Sequence, residues 1–248
     1  MAFNRSFVDT FVPALNLISS RSPSSITVGS IGYPDLIIRR DHLHLLSSTK
    51  LSRSIINDKK ALKWHNLDQS IYTPLSIENF CIQSGIEFEY IDINQGTGSA
   101  DNFQYIDLNL PLPQQYYCKY DLLIDSGTAE HCFNVGKVFE NYFHMLKPGG
   151  ILIQYMPFLS PNHGFWSINP TAIYDMARVN PIKIIQMKIN AYKSYSYYFD
   201  CIPSEVKYHS FKRFNLLPAL SAGVVLAEFC YKKLSKSIFK FPIQSKYL

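Results

Sequence analysis

The pattern of apolar and polar positions is most informative between Tyr120 and Phe158, where it reads as strand, loop, helix, glycine turn and strand. Tyr120-Asp121 leads into the apolar run Leu122-Leu123-Ile124, which stops at Asp125-Ser126-Gly127-Thr128. A short apolar run bounded by polar turn residues predicts a buried parallel strand. Val135, Val138, Phe139, Tyr142, Phe143 and Leu146 then recur at helical spacing. Lys147 is expected in the last helical turn, with Pro148-Gly149-Gly150 as the stop. Ile151 to Met156 reads as the next strand, so the stretch predicts a βαβ unit. Ligands of such sheets bind beyond the carboxyl ends of the strands. That places Asp125 to His131, and Pro157 onward, on the functional edge.

The same reading extends in both directions. Phe7, Phe11, Leu15 and Ile18 predict a short packing helix in residues 1–23, broken near Arg21 to Ser25. Ile26-Thr27-Val28 predicts the first strand, with a turn at Gly29-Ser30-Ile31-Gly32. Asp41 is expected to cap a helix through Leu45 and Leu46, and residues 59–64 suggest a second helical piece. Residues 74–84 predict a helix that Gly85 stops. Strands are expected over 88–94, 103–109, 182–187 and 223–233, and a helix over 170–177 with proline in its first turn. The long connection implies an insertion at about 40–72, and residues 191–215 have no clear reading. The expected boundaries are a lead-in over 1–23, a main domain over 24–233 and a basic aromatic tail over 234–248.

Composition narrows the classes. Hydrophobic residues make up 47% of the 248, ample for a core, and no stretch is long and apolar enough to span a bilayer. The five cysteines are scattered without a CxxC pair, which argues against a zinc site and a disulfide framework. With no signal-peptide core at the start, a cytoplasmic protein is expected. The net charge of +5 is uneven. From Lys183 onward there are 11 basic and three acidic residues, giving +8, against 13 and 16, giving −3, before it. The basic portion allows nucleic acid as a partner, but no nucleic-acid motif accompanies it.

The pieces YDLLIDSGTAEHCFN and MLKPGGILIQYMPF resemble the class I S-adenosylmethionine-dependent methyltransferases. The resemblance rests on an aspartate-led strand, on Glu130-His131 after it, and on Leu146-Lys147-Pro148-Gly149-Gly150. It covers roughly residues 24–185 and the strand near 224–231. It implies an α/β fold with a doubly wound, mostly parallel seven-stranded, Rossmann-like sheet that ends in an antiparallel strand. It also implies S-adenosylmethionine as cofactor, held by Gly29, Ser30, Gly32, Asp92, Asp107 and Asp125. Asp92 would accept from ribose hydroxyls and Asp107 from the adenine amino group, since a carboxylate offers two acceptor oxygens. The glycine turn departs from the family pattern, with two glycines and no preceding acid. His131 and His163 are the base candidates, and a small-molecule or sugar-type acceptor is expected. Asn162 is a further acceptor contact, and Phe165 and Trp166 are candidate pocket walls. No metal site is expected. Two alternatives stay open: an inactive methyltransferase-like binding or assembly module, and an NAD(P)-dependent oxidoreductase on a related sheet. The oligomeric state is not legible.

Overall fold

The computed structural model describes residues 5–20, 25–46, 62–63, 67–95, 98–160, 163–192, 196–201 and 224–247. Asn162, the break at 21–24, most of residues 47–66 and all of 202–223 lie outside the described residues. The chain forms two compact units, residues 1–106 and 107–248.

The first unit opens with helix α1 (Arg5–Ser19), whose Phe11, Leu15 and Ile18 are buried as their spacing predicts. Strand β1 (Thr27–Ile31) is buried at every position, as its apolar, β-branched sequence favours. It pairs in parallel with β4 (Glu87–Asp92), which pairs in parallel with β5 (Phe103–Tyr105), giving the order β5-β4-β1. The long connection contributes a small antiparallel pair, β2 (Asp35–Arg39) and β3 (Tyr72–Ser76). Residues 74–76 therefore belong to a strand, and the expected helix is shorter: α2 (Ile77–Gln83). Its start is fixed by Ser76, whose Oγ accepts from the Asn79 N–H at 3.0 Å. Gly85, at φ +68°, ends it as expected. Asp41 does not cap an α-helix. It pairs with Arg39 at 2.9 Å, and residues 40–46 form a 3-10 helix.

The second unit contains β6 (Tyr120–Asp125), α3 (Val135–Met145) and β7 (Leu146–Leu159), with β6 and β7 parallel. Helix α3 ends before the predicted stop. Leu146 is already extended, so Lys147 to Gly150 form a bulge at the start of β7 rather than a helix cap. The reason is local pairing: Lys147 Nζ bonds Asp121 Oδ2 at 2.7 Å across the two strands. A Cβ on Gly150 would also stand 2.9 Å from the carbonyl oxygens of Tyr120 and Lys147. Helix α4 (Pro170–Val179) starts on Asn169, whose Oδ1 accepts from the Thr171 N–H at 2.9 Å. Strand β8 (Ile182–Tyr192) pairs with β9 (Ser196–Cys201), an edge strand the sequence did not suggest. Strand β10 (Val224–Lys233) lies between β7 and β8 and is antiparallel to both. The order in this unit is β6-β7-β10-β8-β9. Seven of these strands (β1, β4, β5, β6, β7, β8 and β10) correspond to the expected doubly wound, mostly parallel α/β sheet, and β9 is an addition.

Candidate functional site

In the first unit, two of the three expected turn residues are strand residues. Gly29 and Ser30 sit in β1, opposite Glu89 and Tyr90 of β4. The Ser30 hydroxyl is fully buried and donates to the Gly32 carbonyl at 2.8 Å. Only Gly32 lies past the strand, at φ +72°, a conformation that suits a residue without Cβ. Its N–H donates to Ile91 O at 2.7 Å, which sets the glycine turn beside the end of β4. Asp92 is the last residue of that strand and is half-buried. Its Oδ1 accepts from the Ile93 N–H at 2.7 Å and the Asn94 N–H at 3.2 Å. Its Oδ2 has no hydrogen bond among the described residues. The flanking wall is firm. Tyr33 packs edge-on against Tyr90 at 5.3 Å, and its hydroxyl donates to Glu78 at 3.1 Å.

Asp107 opens the second unit, beyond the end of β5, which is shorter than the predicted strand. Its Oδ1 accepts from the N–H and the side-chain amide of Asn109, both at 2.9 Å. Asn109 in turn accepts from the Asn134 N–H at 2.9 Å, just before α3.

Asp125 is the last residue of β6 and is fully buried. Both of its oxygens are engaged. Oδ1 accepts from the Gly127 N–H at 3.0 Å and the Thr128 N–H at 2.8 Å. Oδ2 accepts from Tyr142 Oη at 3.1 Å and Gln154 Nε2 at 3.0 Å. Burial pushes its carboxyl up from the ordinary range, against the pull of those four donors. Burial first, and the nearby Asp125 charge second, hold the Tyr142 phenol well above its ordinary value. Asp125 is thus an organiser of the 126–128 turn.

That turn delivers Glu130 and His131, which lie in the 3-10 helix of residues 129–131. Glu130 is 0% exposed, and neither carboxylate oxygen has a hydrogen-bond partner among the described residues. Burial, followed by the Asp125 charge, pushes its carboxyl up to about 8. The loop after β7 closes over it. Phe165 N–H donates to Glu130 O at 2.8 Å. Gly164, at φ +73°, is so close that a Cβ there would stand 2.8 Å from Glu130 Cγ. His163 Nε2 then lies 3.5 Å from Glu130 Oε1 without hydrogen-bond geometry. The two histidines meet edge-on, with ring centroids 5.2 Å apart. Burial first, and His131 second, lower the His163 pKa from its ordinary value. The two base candidates, 32 residues apart in sequence, are therefore brought together.

An aromatic cluster adjoins them. Phe133 is 72% exposed and Phe165 65% exposed, with their rings 5.7 Å apart. Trp166 lies 6.1 Å from Phe133 and donates from Nε1 to the carbonyls of Cys132 and Phe133. Sequence reasoning gave Glu130 no role of its own and missed Tyr142 and Gln154 as partners of Asp125. The available signal was Gln154 itself, a lone amide inside the apolar run Ile151 to Met156.

No protein-family model matches the chain, and no curated protein matches it. Solved structures do. A SAM-dependent methyltransferase from Archaeoglobus fulgidus is 13% identical, with 92% of each chain covered and a TM-score of 0.46. The 1,6-didemethyltoxoflavin-N1-methyltransferase of Burkholderia thailandensis, solved with 1,6-didemethyltoxoflavin and S-adenosylhomocysteine, is 8% identical. The match covers 90% of this chain and 77% of that one, with a TM-score of 0.45. A TehB-like SAM-dependent methyltransferase from Corynebacterium glutamicum is 10% identical, covering 89% and 86%, with a TM-score of 0.44. The orders β5-β4-β1 in the first unit and β6-β7-β10-β8 in the second, with β10 antiparallel to both neighbours, fit the mostly parallel, doubly wound α/β fold expected from the sequence.

Proposed function

We propose that this chain is an S-adenosylmethionine-dependent methyltransferase acting on a small-molecule or sugar-type acceptor. One juxtaposition carries the reading: the left-handed Gly32 turn sits beside Asp92, at the carboxyl ends of two adjacent parallel strands. A Cβ-free turn lets a ligand approach the backbone, and Asp92 keeps one carboxylate oxygen available for ribose hydroxyls. This arrangement alone also suits a nicotinamide cofactor. The antiparallel β10 favours the methyl donor, because its position is the one the resemblance leads one to expect.

S-adenosylmethionine, when bound, supplies an electrophilic methyl group. In this reading Gly29, Ser30 and Gly32 support the turn at its methionine end, Asp92 accepts from ribose, and Asp107 accepts from adenine. Asp125 acts through the turn that it shapes, because its own oxygens are filled. An acceptor oxygen, nitrogen or carbon held beside that methyl group would receive it. The acceptor's proton leaves to His163 or His131. Phe133, Phe165 and Trp166 offer ring faces to the acceptor, which suits a planar or sugar-like molecule. Positioning supplies most of the rate gain, since the donor is already activated.

Calorimetric titration with S-adenosylmethionine and S-adenosylhomocysteine tests the reading. Binding of both, weakened at least tenfold by Asp92→Ala, is the expected result. A folded wild type that binds neither overturns it. One observation favours a second reading, the inactive binding module: the turn past β1 contains a single glycine, and Ser30 is spent inside the protein. Donor binding without turnover on any acceptor would support that module.

A further inference from the structure

Among the described residues, Glu130 is a buried carboxylate with no hydrogen-bond donor at either oxygen. A buried carboxyl with neither oxygen hydrogen-bonded is costly in either protonation state, and its ionised form calls for a positive partner. Two imidazoles lie within reach of it. His163 Nε2 is itself a buried atom without a hydrogen bond, 3.5 Å from Oε1. His131 packs edge-on against His163. One ligand atom from each of the three residues lies within 4.8 Å of the others.

We infer that Glu130, His131 and His163 form a binding site for a divalent first-row transition metal of the zinc class. A cation at their centre would satisfy one unpartnered Glu130 oxygen and the buried imidazole nitrogen at once. Bonds of about 2.0 Å in tetrahedral geometry put ligand atoms about 3.3 Å apart. The Glu130–His163 pair is already at that spacing, and His131, which is exposed, has room to close the remaining distance.

The pocket is a built feature. The carbonyl of Glu130 anchors the Phe165 N–H, and Gly164 fits where no other residue would, so the loop after β7 holds His163 over the carboxylate. The donor set selects the metal. Two imidazoles and one carboxylate suit Zn2+, Co2+, Mn2+ or Fe2+, whereas Mg2+ and Ca2+ want oxygen ligands. Three protein ligands with an exposed His131 and a His163 side chain 39% exposed leave positions open to solvent, the pattern of a catalytic site. An acceptor oxygen bound there would lose its proton more readily. That last consequence rests on the proposed methyl-transfer reading, but metal binding itself does not. The scattered cysteines that argue against zinc in the sequence do not bear on this histidine–carboxylate site.

The test uses the full chain, stripped with a chelator and dialysed. Cobalt(II) is added and followed by its visible d–d absorption, and Zn2+ and Mg2+ are titrated by calorimetry. One equivalent of Co2+ with d–d bands, displaced by Zn2+ but not by millimolar Mg2+, is expected. The affinity should fall at least about tenfold in His131→Ala, an exposed position, and in the isosteric Glu130→Gln. Circular dichroism checks that both variants fold. No d–d bands and no Zn2+ heat in folded wild type overturn the proposal, and so does unchanged affinity in both variants. Donor titration is scored separately. Metal binding without donor binding keeps this site and removes the methyltransferase reading, and the reverse result removes only this site.

Discussion

Tyr142 donates its hydroxyl to Oδ2 of Asp125 across 3.1 Å, tying α3 to the end of β6 in a fully buried contact. Gln154 of β7 donates to the same oxygen at 3.0 Å, so three successive elements meet on one carboxylate. Removing one donor leaves a buried acceptor partly unmet. Tyr142→Phe is expected to lower stability by about 1–2 kcal/mol in urea unfolding. Asp125→Ala should cost more than either single donor change, because it also frees the 126–128 turn. Equal stability for all three proteins would refute the role of this knot.

Lys233 supports the same C-terminal end of α3. Its side chain is buried, and Nζ donates to the carbonyl oxygens of Phe143 and Leu146, each at 2.8 Å. These are the terminal carbonyls that a helix leaves unpaired, and a cation suits the dipole there. The ammonium also lies 4.4 Å from the Phe143 ring centroid. Lys233→Met keeps the length and removes the donors. A loss of about 2 kcal/mol is expected, read as a lower denaturant midpoint. A more stable variant would mean that desolvating the charge outweighs its bonds.

Gly164 carries the loop over Glu130. Alanine there is strained at φ +73° and meets Glu130 Cγ at 2.8 Å. Gly164→Ala should cost at least about 1 kcal/mol. It should also displace His163, which a shift in that residue's imidazole resonances would report. Unperturbed His163 resonances in the alanine variant would show that the loop does not need glycine.

His144 gives a pH dependence with a definite sign. Burial first, and the Lys233 charge second, lower its pKa from the ordinary value. The unfolded chain therefore takes up a proton near pH 6.5, where the native imidazole stays neutral. Native stability contributed by this group is present above that pH and is lost as pH falls from it through the lowered native value. The ring stacks on Tyr117 at 4.7 Å, so His144→Phe keeps the stack and removes the titration. The slope of unfolding free energy just below about pH 6.5 should shrink in the variant. An unchanged slope would place the dependence on other groups.

Much of the fold was legible because its signals are local. The apolar run Leu122-Leu123-Ile124 and the 3.6-residue spacing of Val135, Val138, Phe139 and Tyr142 depend only on which face is buried. Pro170 after Asn169 marks the start of α4 by its own stereochemistry. Boundaries were less legible. Lys147-Pro148-Gly149-Gly150 has the composition of a helix stop, yet it forms a strand bulge because Lys147 finds Asp121 on β6. Pro74-Leu75-Ser76 reads as helix start but pairs with β2 instead.

The sequence by itself determined the alternation of strands and helices, the acids at the strand ends and the glycine beyond β1, since each follows from periodicity or backbone conformation within a few residues. Only the tertiary structure decided which polar groups are spent and which are left over. Asp125 has all its acceptor positions filled by residues as distant as Gln154, while Glu130, five residues on, is buried with none filled. That difference depends on donors that arrive from other elements, and hydrogen bonds between distant residues leave no periodic trace in the chain.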